Sequence, residues 1–99
     1  MTAVVWRINP HTRSYRRLAG AFDALAVAVD GRAHWELGDG VAHYAPAAGM
    51  PVAVVRPIRP SDSGERYHVA IVHDGAARRS RLCQTAEEAV EWAELDHSI

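Results

Sequence analysis

Hydrophobic positions recur along this chain with two different periods, and the change between them places most of its elements. From Ser14 onward, Tyr15, Leu18, Phe22, Leu25 and Val29 follow one another at spacings of three and four, which marks one face of an α-helix. Gly31 stands where such a helix would end, since a glycine adopts positive φ without strain. The overlapping stretch LAVAVDGRAHWEL at 25–37 alternates instead and carries its own Asp-Gly, the sign of a β-hairpin. We favour the helix over residues 14–30 and keep the hairpin as the alternative.

The second half of the chain reads more simply. PVAVVRPI at 51–58 is a strand, with Pro57 at its end or on a sheet edge because proline cannot donate to a ladder. After the polar loop RPSDSGE comes RYHVAIVHDGAARRSRL, a β-branched and aromatic run, an Asp74-Gly75 turn and a return strand to about Cys83. These three strands are expected to form an antiparallel meander. Weaker strands are expected in the first half: VVWRI at 4–8, and short segments either side of a turn at Gly38 to Gly40 within WELGDGVAHYAPAAGM. Pro46 to Pro51 reads as loop.

The chain closes with a helix. Thr85 and Glu88 form a capping box, and Glu87 and Glu88 stand at the positive end of the helix dipole. Ala86, Ala89, Val90 and Ala93 fall on one face and Glu87, Glu88, Glu91 and Glu94 on the opposite arc, with Trp92 at the border of the apolar stripe and Leu95 among the acids. The fold class expected is therefore α+β: a single domain with a small antiparallel sheet of three to five strands, a C-terminal amphipathic helix and an N-terminal helix packed on it.

In outline the order α, β, β, β, α resembles the topology of double-stranded RNA-binding domains. That family begins its last helix with lysines; here Glu87 and Glu88 stand there, so the resemblance implies a topology and no RNA-binding residue. The hairpin followed by TAEEAVEWA also looks like small bacterial domains that end in a strand and a Thr-x-Glu-Glu-Ala helix.

Composition changes this picture in three places. At 99 residues and 48% hydrophobic the chain suits one soluble domain, but much of the apolar count is alanine, so the core is thin and an oligomer interface would help it. All 11 basic residues are arginine, a usage expected of a GC-rich bacterial or phage genome, so their number alone is not evidence for guanidinium chemistry. A lone cysteine, Cys83, and the lack of an apolar leader or span point to a cytoplasmic protein with no membrane partner.

Charge is unevenly spread. Residues 83–99 hold Glu87, Glu88, Glu91, Glu94 and Asp96 and no arginine, so a net charge of −1 overall leaves the rest of the chain positive. Arg79 and Arg81 share one face of their strand, with Arg78 on the other. They either pair with carboxylates of the last helix or join Arg13, Arg16 and Arg17, with Arg56 or Arg59, as a basic surface for phosphates.

No catalytic, cofactor or metal signature is present. His68 and His73 are separated by an odd number and point to opposite faces of one strand, and His34 and His43 lack a further ligand at metal spacing. Cys83 reads as a small buried hydrophobe rather than a nucleophile. The function expected is a non-catalytic interaction or regulatory module acting through protein contacts as a homodimer, with Trp92 and Leu95 as interface candidates. The alternative is a nucleic-acid binder using Arg13, Arg16, Arg17, Arg79 and Arg81.

Overall fold

The computed structural model describes residues 13–60 and 62–96, the first six of them as backbone only. Helix α1 spans Arg13–Val29, followed by strands β1 (Trp35–Gly38), β2 (Val41–Tyr44), β3 (Val52–Pro57), β4 (Tyr67–His73) and β5 (Ala76–Cys83) and by helix α2 (Ala86–Asp96). The strands form one open antiparallel sheet in chain order, β1 to β5. Two short strands thus precede the three-strand meander, and the expected αβββα outline becomes αβββββα. The segment 4–8 lies outside the described residues.

Three Asp-Gly pairs punctuate the chain and do two different jobs. Asp39-Gly40 and Asp74-Gly75 both have positive φ at each residue and close the β1–β2 and β4–β5 hairpins, since a type I′ turn matches the twist of the strands it joins. Asp30-Gly31 ends α1 instead. Gly31 has φ 75°, and the Arg32 amide donates to the Val29 carbonyl at 3.0 Å, so the helical period wins over the alternation that overlaps it.

Helix α1 lies over β2 and β3, and α2 lies over β3, β4 and β5 beside it. Leu25 and Val29 of α1 and Ala86, Ala89, Val90 and Ala93 of α2 are buried against Ala42, Ala53, Val55, Tyr67, Val69, Ile71 and Cys83. The alanines narrow α2 enough to sit close on the sheet, while Val55, Val69, Ile71 and Leu25 supply the bulk. At the start of α2 the Glu88 amide donates to Thr85 Oγ1 at 3.1 Å, and Glu88 Oε1 accepts from the amide of Gln84 at 2.8 Å. The cap is the expected one, with the glutamate reaching one residue further back.

Pro57 ends β3, the central strand of the sheet, opposite Tyr67. Among the described residues no helix is long and apolar enough to cross a membrane.

Candidate functional site

Both helices sit on one face of the sheet, so every strand turns alternate residues away from them. On β3 these are Val52, Val54 and Arg56, between the buried Ala53, Val55 and Pro57; on β4 they are His68, Ala70 and Val72, between the buried Tyr67, Val69 and Ile71. The register sets them in rows. Glu36, His43, Val54, Ala70 and Ser80 line up across all five strands, Arg56, His68 and Leu82 form a second row, and Val52, Val72 and Ala77 a third.

Val52, Val54, Ala70 and Val72 are therefore a contiguous apolar block at the centre of the uncovered face, and each remains partly exposed. Leu82 adds an apolar side chain that is 49% exposed. An antiparallel sheet with one solvated face ordinarily alternates apolar-in and polar-out. Here the two central strands are apolar on both faces. The signal for this lies in the unbroken run PVAVV, a pattern expected of a strand with apolar residues on both faces.

The rim of this face is polar. His68 stands beside Arg56 across the β3–β4 pair, and its pKa is lowered from the ordinary 6.5, first by burial and then by the Arg56 charge, so the ring favours its neutral form. His43 stands between Glu36 and Val54. His34 is elsewhere, its ring edge-on to Tyr44 with centroids 6.3 Å apart. Among the described residues no three His, Cys, Asp or Glu side chains group closely enough to hold a metal ion.

The arginines of β5 point the other way. Arg79 opposes Ile71 and Arg81 opposes Val69, on the helix side of the sheet. Arg79 donates to the Asp96 carbonyl and approaches its carboxylate at 3.9 Å, and Arg81 lies 4.0 Å from Glu88 Oε2. Arg78 occupies an irregularity in the β4–β5 register and donates to the His73 carbonyl at 3.2 Å. The two paired arginines thus meet carboxylates of α2 in their own domain. Arg13, Arg16 and Arg17 stand in the first turns of α1, with side chains outside the described residues. Helix α1 lies over β2 and β3, whereas Arg79 and Arg81 stand on the edge strand β5.

The interface candidates also separate. Trp92 is partly buried against the core, while Leu95 is 81% exposed on α2. Glu94 leaves the wet arc expected of it: Oε1 accepts from Arg32 Nη1 at 2.7 Å and Oε2 from Trp35 Nε1 at 2.8 Å. Sequence spacing within α2 gave no sign of either contact.

Two adjoining clefts of about 490 and 470 Å³ open between α1 and the β3–β4 connection and share Ala24, Arg66 and Tyr67. The Tyr67 hydroxyl donates to the Ala21 carbonyl at 2.8 Å. Burial, and then the charge of Glu87, raise its pKa against the opposing Arg66. Cys83 is buried, and burial followed by Glu88 raises its pKa against Arg81. Both shifts favour the protonated phenol and thiol.

No protein-family model, no curated protein and no solved structure matches this chain.

Proposed function

We propose that the chain is a non-catalytic interaction module that works through protein contacts as a homodimer, with the uncovered sheet face as its contact surface. One observation carries the reading: Val52, Val54, Ala70 and Val72 form an apolar block on the side of the sheet that neither helix covers. A contiguous apolar patch rimmed by polar residues is the ordinary sign of a protein-binding surface. The thin, alanine-rich core supports it as well, because burying a second face adds apolar area that the domain alone does not hide.

The other opening, the free edge of β5, is less suited to self-association. Its exposed residues include Arg78, Arg79 and Arg81, and antiparallel pairing with a second β5 sets arginine beside arginine, a like-charge arrangement that disfavours pairing. The face, rather than the edge, is the surface assigned to the dimer.

Light scattering on a size-exclusion column, from about one to about a hundred micromolar, tests the reading. A dimer mass that falls to monomer on dilution supports it, and a monomer mass throughout overturns it. Fluorescence anisotropy with labelled duplex DNA, single-stranded DNA and RNA tests the alternative. Saturable binding that weakens steeply with salt would move the function to the arginines.

A further inference from the structure

Resting on the proposed homodimer, we infer that two copies stack face to face about a two-fold axis that runs along the strands midway between β3 and β4. Such an axis lays β3 of one copy over β4 of the other and β2 over β5, so each row of the outer face meets the same row of its partner in reverse order.

The rows then match in chemistry. Val54 meets Ala70 of the other copy and Val52 meets Val72, so the central block is closed by itself. Val41, next in line to the paired Ala42 and Val55, meets Leu82, and the side chain of Leu82 gains the cover it lacks within one domain. His43 meets Ser80, polar on polar. Arg56, exposed at the rim, meets His68, whose burial beside Arg56 already favours the neutral ring, and a neutral imidazole nitrogen accepts a hydrogen bond from a guanidinium.

The competing two-fold, perpendicular to the strands through the Val54 row, fits worse. It would lay Arg56 over Val52 and His68 over Val72, setting charged or polar groups on the apolar block.

Across this axis β1 has no counterpart, and the four overlapping strands, about 4.8 Å apart and about 20 Å long, present roughly 400 Å² per copy, or about 800 Å² for the pair, the size of a weak contact that dissociates on dilution. Glu36 lies on β1, beyond the overlap, and each Arg56 faces the His68 of the other copy rather than its arginine.

The test is a charge swap at the two outermost apolar positions. Within one chain Val41 and Leu82 lie on β2 and β5, three strand spacings or about 14 Å apart, too far for their replacements to pair with each other. Across the proposed axis they touch twice. Wild type, V41E, L82R and V41E/L82R are compared by light scattering, with far-ultraviolet circular dichroism as the check on folding.

A dimeric wild type, single variants whose dissociation constants rise roughly a hundredfold, and a double variant that returns to dimer are the expected results. A dimeric wild type whose single variants stay dimeric, or whose double variant is not restored, overturns this axis and leaves the homodimer standing. A monomeric wild type overturns the homodimer and the axis with it. Should V41E lose its fold, H43E with S80R, the next pair of opposed positions, is read in the same way.

Discussion

Glu94 of α2 and Trp35 of β1 are joined by a hydrogen bond of 2.8 Å across 59 positions of sequence, the indole nitrogen donating to a carboxylate that also holds Arg32. The single carboxylate ties the end of α2 to the first strand and to the turn after α1. Its two bonds differ in worth. The arginine pair is partly exposed and contributes little, of the order of 0–1 kcal/mol. The indole is partly buried, and leaving its N–H without an acceptor costs about 1–3 kcal/mol.

Glu94→Gln keeps an oxygen for the indole and loses the charge, whereas Glu94→Ala loses both bonds. Thermal unfolding should show the alanine variant lower by about 1–3 kcal/mol, and the glutamine variant within about 1 kcal/mol of wild type. Equal losses would place the stabilisation in the arginine pair instead.

The alanines of α2 make a second prediction. Ala89 is fully buried, and Ala86 and Ala93 nearly or fully so, between α2 and the sheet. They bring little area each; what they give is close approach of the helix. Ala89→Leu adds apolar bulk where there is no room, so it should destabilise by about 1–3 kcal/mol despite its greater hydrophobicity, leucine being only slightly below alanine in helix propensity. Urea denaturation measures this directly, and a stabilised variant would mean that the helix stands off the sheet.

Much of this architecture is legible in the sequence because the local signals agree with the long-range ones. The spacing of Phe22, Leu25 and Val29, the Thr85–Glu88 cap and the Asp74-Gly75 turn each act within a few residues, and each is where it was expected. Alternation also put Arg79 and Arg81 on one face together. Arg78, which alternation put on the other face, stands where the register shifts between Ile71 and Val72. The two missed features are non-local. Glu94 falls on the solvated arc of its helix until the fold brings Trp35 and Arg32 to it, and a run of valine and alanine does not say whether a second layer covers the other face of its strand.

His68 gives the molecule a defined response to acid. Its pKa is lowered in the folded state by burial and by Arg56, so below the ordinary value of 6.5 the unfolded chain takes up this proton before the folded one does. Stability from this group is whole above 6.5, is lost as the pH falls from there towards the lowered folded value, and levels off beneath it. Denaturation at pH 7 and pH 5 should therefore show a loss in wild type that is smaller in His68→Gln. An identical loss in both proteins would place the acid response in other groups.

The arginines of β5 yield the last prediction, and it separates two roles that the sequence could not. Arg79 and Arg81 are joined to Asp96 and Glu88 of α2, in pairs that are about half exposed and so worth little stability, of the order of 0–1 kcal/mol each. They also stand on a long edge strand whose exposed backbone is a template for another chain, where charged side chains and a register irregularity both discourage pairing. Replacing the pair by threonine, a good strand former without charge, should cost little in unfolding free energy yet make the protein self-associate through β5, seen as growth in light scattering over hours at high concentration. If these arginines instead hold nucleic acid, the same variant would stay soluble and lose a salt-dependent anisotropy signal that wild type possesses. The first outcome keeps the sheet face as the working surface and makes the arginines its guard against the wrong partner.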